Sequence, residues 1–186
     1  MTTLNTLTPR GLGRVLAVAS CLVVFSMSLF AQKVTFGQQV AVMKVLKADL
    51  KTIGVLAGNL TDKMTQDLTR AGMAQGITIV IAKPKDRSEV GSLYKKLVTE
   101  KKIQMLWLPD GGDETVMGVS IDYLKENTAM DGVGLCVTEK KLVSSGALCS
   151  VQSENGKLIA YVNKKIATVV GASIPGEGSD INFVQQ

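Results

Sequence analysis

The stretch "PDGGDET" (109–115) sets Asp110, Asp113 and Glu114 around two glycines, directly after the apolar run "IQMLWL". Carboxylates so gathered could hold a divalent cation or do acid–base work. A calcium loop of the EF type opening at Asp110 needs a bidentate acid at its twelfth position, and that position is Ile121. The chain has no histidine. That removes the side chain most used as a general acid–base and most used as a metal ligand. A Ser-His-Asp or Cys-His site is excluded, and zinc would have only cysteine and carboxylate to bind. The acids of 110–114 are therefore expected to start a helix, where the positive end of the helix dipole favours them. No metal site and no cofactor is expected. "GVLAGN" (54–59) lacks the G-x-G-x-x-G spacing that lets backbone approach a dinucleotide pyrophosphate.

The elements that must carry this loop are legible from periodicity. "QQVAVMKVLKADL" (38–50) repeats apolar residues at helical spacing through Val42, Met43, Leu46 and Leu50. "TIGVLAG" (52–58) reads as a buried strand. A helix follows, opened by the capping types Asn59 and Thr61 and closed near Gly76. "ITIVIAKP" (77–84) is a second strand. Val90, Leu93, Tyr94, Leu97 and Val98 then mark one face of a third helix. "IQMLWLP" is a third strand, with Trp107 in its body and expected in the core. A helix over 115–127 and a strand over 132–138 complete the alternation. After residue 140 the pattern changes. "GALCSVQ" (146–152) and "KLIAYVN" (157–163) are strands joined by "SENG", a hairpin signal. A short helix between Asn163 and Gly171 precedes a glycine-bearing tail, 176–186, with one edge strand.

Uninterrupted apolar strands alternating with helices define a mainly parallel sheet covered on both faces. The expected fold is α/β and Rossmann-like: doubly wound, a three-layer sandwich, with a C-terminal β-hairpin and short helix. Ligands of such sheets bind outside the carboxyl ends of the strands. Here those ends lead into "GNLTD", "KPKDR", "PDGGDET" and "TEKK". The polar groups that can converge there are Asn59, Thr61, Asp110, Thr138 and Ser144, each of which also suits a cap or turn. Backbone amides at Thr61 and around Thr115 could accept a carboxylate or another anion. A phospho-receiver site would find its acid in Asp110 and its threonine in Thr138. It also needs an acidic pair after the first strand, where Gly58 and Asn59 stand.

The first 31 residues read as a leader. Arg10 and Arg14 precede the apolar run 15–30, and Ala31 follows it, the three parts of a signal peptide. The run is shorter than the about 20 residues of a spanning helix. Export to the periplasm or a comparable compartment is expected, with cleavage after Ala31. Lipidation of Cys21 in "VASC" fits less well, because the apolar run continues past it. Of the remaining residues, 38–175 are expected to form a single α/β domain, with 176–186 as a tail. The formal charge of +5 falls to +3 without Arg10 and Arg14. That is too mild for nucleic acid, and no basic stripe interleaved with aromatics exists. Cys136 and Cys149 would remain, either as a disulfide formed in an oxidising compartment or as two buried thiols.

Several stretches carry a resemblance to known families. "VAVMKVLKADLKTIGVLAGN", "AQGITIVIAKP", "IQMLWLPDGGDETV", "LVSSGAL" and "YVNKKIATVVGASIP" resemble the ABC-transporter substrate-binding proteins of the tryptophan/tyrosine type, across about residues 40–175. That resemblance implies that the domain over 38–175 is a periplasmic-binding-protein-like lobe that binds a small molecule, such as an amino acid, without chemistry. By position Asn59, Thr61, Asp110 and Thr138 would line its half of the cleft. A membrane permease or sensor would be the partner, and a second lobe or a homodimer mate would close the cleft. "SGALCSVQSENGKLIAYVNKKIATVVGASIP" also resembles the ending of YfiR-type periplasmic regulators, which implies a signalling module acting through a membrane protein.

Overall fold

The computed structural model describes residues 33–109, 114–176 and 181–186. The leader, its cleavage after Ala31 and Cys21 lie outside the described residues, as do Asp110 and Asp113. The elements run α1 (Phe36–Leu46), β1 (Thr52–Leu56), α2 (Asp62–Ala74), β2 (Thr78–Ala82), α3 (Arg87–Thr99), β3 (Met105–Trp107), α4 (Val119–Met130), β4 (Gly134–Val137), α5 (Lys140–Ser144), β5 (Cys149–Glu154), β6 (Lys157–Val162), α6 (Lys164–Val170) and β7 (Asn182–Gln185). One seven-stranded sheet has the order β2-β1-β3-β4-β5-β6-β7. All neighbours are parallel except β5 and β6. The fold is thus α/β, mainly parallel and doubly wound, as expected.

Strand alternation divides the core in two. Ile53, Val55, Met105, Trp107 and Cys136 face one side and pack with Val40, Met43 and Leu46 of α1 and Leu68 of α2. Leu56, Leu106, Leu135 and Val137 face the other and pack with Val90, Tyr94 and Leu97 of α3, Leu124 of α4 and Val143 of α5. Each such fully buried side chain contributes roughly 1.5–3 kcal/mol through removal from water. The central strands are buried along their length, whereas β2, at the sheet edge, is only half-buried.

Several boundaries differ from the sequence expectation, each for a local reason. α1 starts earlier than residue 38 because Thr35 and Gln38 form a capping box. It ends at Leu46, since Lys47 is extended. The helix expected over 115–127 begins only at Val119. Gly118, with φ 75°, interrupts the chain just before it. The strand expected from 146 begins at Cys149, because the amides of Gly146 and Ala147 close α5 on the carbonyls of Val143 and Leu142. That five-residue helix was not anticipated from sequence. The hairpin turn is as read: Asn155 and Gly156, with φ of 52° and 75°, link the paired Glu154 and Lys157. Both residues at positive φ give the two-residue turn that matches strand twist. β7 adds the edge strand, parallel to β6.

Candidate functional site

β1 and β3 are neighbours, and their outgoing connections lead to helices on opposite faces. This is the switch point at which doubly wound sheets open a crevice. The segments after β1, β2 and β3 meet there, and the amino ends of α2, α3 and α4 share that edge by topology. Aligned peptide dipoles make such an edge attractive to anions.

The three helix starts differ in how their orphan amides are satisfied. At α2, Thr61 is the N-cap and its Oγ1 accepts from the Met64 amide at 3.2 Å. At α3, the Asp86 carboxylate accepts from the Ser88 amide at 2.8 Å and from the Ser88 hydroxyl at 2.5 Å. These bonds hold the Asp86 carboxyl below the usual carboxylate range; slight desolvation at this exposed position opposes them, and the Glu89 amide and Lys85 add to them. At α4 the N-cap is Gly118, which brings no side-chain bond. Among the described residues, the helix directly following the switch-point loop is therefore the one of these three whose N-cap brings no side-chain bond.

Arg87 stands beside that end. Its Nε donates to the Glu114 carbonyl at 3.0 Å, tying the first turn of α3 to the loop after β3. A hollow of about 410 Å³ between α3 and α4 is lined by Arg87, Ser88, Val90, Gly91, Ser120 and Tyr123. A second hollow, of about 630 Å³, lies at the starts of α1 and α2 on the other face, lined by Phe36, Lys63, Met64 and Asp67 among others. Neither Arg87 nor Ser120 was singled out from sequence. One signal was available for Arg87: a cation in the first turn opposes the helix dipole, so another contact had to favour it.

The expected site residues are partly brought together. Asn59 and Thr61 are exposed in the segment after β1. That segment is tied to the one after β2 by the Lys83 ammonium, which donates to the Leu60 carbonyl at 3.1 Å. Thr138 is half-buried after β4. Its carbonyl accepts from Ser150 Oγ at 2.8 Å and Gln152 Nε2 at 3.3 Å. Ser144 goes elsewhere. It is the last residue of α5, and its Oγ donates to Gln186 Oε1 at 3.1 Å, beyond the opposite edge strand β7. Glu114 is exposed, and Ile121 is buried in the core. Trp107 is buried, with its indole N–H on Gln39 Oε1 at 3.2 Å and Phe36 edge-on at 5.6 Å, so it is core. Cys136 and Cys149 are buried free thiols whose Sγ atoms lie 3.0 Å apart. Among the described residues no three His, Cys, Asp or Glu side chains gather into a metal-holding group.

Comparison with solved structures finds this architecture in several proteins. An ABC domain in complex with L-Trp from Streptococcus pneumoniae matches with a TM-score of 0.61 and 21% identity, over 76% of this chain and 57% of that one. A substrate-binding protein with adhesive properties from Clostridium difficile, in its ligand-free, open structure, matches with a TM-score of 0.63 and 18% identity, over 82% and 60%. A conserved domain protein from Vibrio cholerae gives 0.62 and 16%, over 77% and 57%. The chain therefore has the fold of these proteins and spans 57–60% of their length. No family model and no curated protein matches it. Among the described residues no helix is long and apolar enough to cross a membrane.

Proposed function

We propose that this chain is an exported solute-binding lobe. It takes a small carboxylate-bearing molecule, such as an amino acid, at its strand-end edge and performs no chemistry on it. The observation that carries this reading is the amino end of α4, whose N-cap Gly118 brings no side-chain bond, beside Arg87 and at the switch point. Backbone amides and a guanidinium together suit a carboxylate. Asn59, Thr61, Asp110 and Thr138 would supply polar contacts from the neighbouring segments. One lobe presents an open edge, so a second body encloses the solute: a further lobe or a second copy of this chain. A membrane permease or sensor then receives the loaded protein. The absence of histidine leaves this edge without the usual proton carrier, in keeping with binding alone.

The test is thermal denaturation of the full chain against the amino acids and small carboxylates at millimolar concentration. A ligand at about a hundred times its Kd should raise Tm by roughly 5–10 °C, and Arg87→Ala should erase the rise. The hairpin of β5 and β6 favours a second reading, the YfiR-type regulatory module, because the ending that resembles those regulators forms an antiparallel pair. No thermal response to any solute, with saturable binding to a purified membrane sensor, would replace the first reading by the second.

A further inference from the structure

Cys136 and Cys149 are in-register partners on the adjacent parallel strands β4 and β5. Neighbouring strands lie about 4.8 Å apart, inside the range of Cα separations that a disulfide spans. The side chains point to the same face, into the core cluster of Met105 and Trp107. Their Sγ atoms are 3.0 Å apart, with Met105 Sδ a further 4.0 Å from Cys136 Sγ. An approach of about 1 Å would bring the two sulfurs to the S–S bond length of about 2.05 Å.

We propose that Cys136 and Cys149 are a structural disulfide that clips β5 to β4 directly beneath the ligand edge. The reaction is thiol–disulfide exchange with a disulfide oxidant of the export compartment, or with oxidised glutathione in vitro. One thiolate attacks the oxidant to give a mixed disulfide, and the second cysteine displaces the reduced carrier. Two S–H bonds are lost, one S–S bond forms, and the oxidant leaves as two thiols. The bond forms while the chain folds. In the finished core both thiols are sealed from solvent, and the hydrogen bond with the Cys149 thiol, together with burial, holds Cys136 well above the usual thiol range. Thiolate is therefore scarce there.

The placement has a consequence for the site. Cys136 lies two residues before Thr138, and Cys149 is next to Ser150, whose hydroxyl holds the Thr138 carbonyl. A bond at this level fixes the carboxyl end of β4 and the start of its loop. It also closes a short segment containing α5, which lowers the entropy of the unfolded chain.

The proposal rests on the export reading only for where the oxidant is met, and two arms separate the two. In the first, the full chain is refolded from guanidinium with reduced and oxidised glutathione, alkylated under denaturing conditions and mapped by peptide mass spectrometry. A peptide linking Cys136 to Cys149, lighter by two hydrogens than the reduced pair, is expected, together with a Tm about 5–10 °C above that of the reduced protein. The double variant Cys136→Ala, Cys149→Ala should show the same Tm with and without reductant. Folded protein with both thiols alkylated, or linkage to Cys21 instead, would overturn the proposal. The second arm maps the same peptide from cells. A linked pair in vitro but reduced thiols in cells would overturn export and leave the bond standing.

Discussion

Gln39 Oε1 accepts the indole N–H of Trp107 at 3.2 Å, with both side chains buried between α1 and the sheet. The pair joins α1 to β3 one strand-end short of Pro109. A Trp needs such a partner because its N–H is lost to water on burial. Gln39→Ala should leave that donor unsatisfied and cost about 1–3 kcal/mol. Trp107 is the chain's one tryptophan, so its emission reports urea unfolding directly. A midpoint unmoved from wild type would show that the N–H finds water or another acceptor.

Gly72 lies where α2 passes close over the start of the edge strand. A Cβ at that position would lie 2.7 Å from the Ile77 carbonyl oxygen and against the Ile79 side chain. Backbone cannot yield as a flexible side chain does, so α2 would have to lift from β2. Gly72→Ala should destabilise by about 1–3 kcal/mol, despite the higher helix propensity of alanine. Gly76→Asn is the contrast. Its φ of 66° suits asparagine and nothing lies near its Cβ, so denaturant midpoints should change little.

Tyr94 donates its hydroxyl to Asp131 Oδ2 at 2.7 Å from a buried position in α3. Burial, and then the hydrogen bond to Asp131 and its charge, raise the phenol above its ordinary range. The neutral form is thus favoured in the folded protein. Its contribution is whole below pH about 10, the unfolded value, and is lost as pH rises beyond it, by up to about 1.4 kcal/mol per unit. Urea titrations from pH 9 to 11.5 should show wild type losing stability more steeply than Tyr94→Phe. Equal slopes would mean that Tyr94 ionises as readily folded as unfolded.

What sequence made legible was local chemistry. Thr61 and Asn163 cap α2 and α6 as their side chains allow, and Asn155-Gly156 turns the hairpin. The apolar runs of β1, β3 and β4 became the central strands because continuous apolar sequence is what burial on two faces requires. Two of the features that sequence hid are relations between distant segments. Ser144 was grouped with Asn59 and Thr61, yet it meets Gln186 from the far edge. Arg87 was hidden because its partner is a backbone carbonyl 27 residues away. α5 is too short to show a period, and it exists because the turn into β5 satisfies its carbonyls.

Gly118 holds φ 75° and ψ −131° at the start of α4, a combination open to glycine and strained for other residues. Gly118→Ala should cost about 1–3 kcal/mol and displace the amides proposed to receive the solute. The measurement is solute affinity by calorimetry beside thermal stability. Affinity should fall by more than tenfold even at temperatures where the variant is folded. Loss of stability with unchanged affinity would place the solute away from α4.

Thr61 offers the sharpest separation between a cap and a ligand contact. Its Oγ1 already accepts from the Met64 amide at 3.2 Å, so Thr61→Ala should cost about 1 kcal/mol whatever the solute does. Thr61→Asp keeps an acceptor at the N-cap and places a negative charge at the positive helix end, so stability should hold or rise. That same charge faces the edge where a carboxylate is proposed to sit. Repulsion over about 6 Å near a protein surface is on the order of 1–3 kcal/mol, so affinity for a carboxylate solute should fall about tenfold or more. The loss should shrink as salt is raised, because exposed charges are screened. A Thr61→Asp protein that is stable and binds its solute as tightly as wild type would show that the solute is uncharged or lies beyond reach of α2.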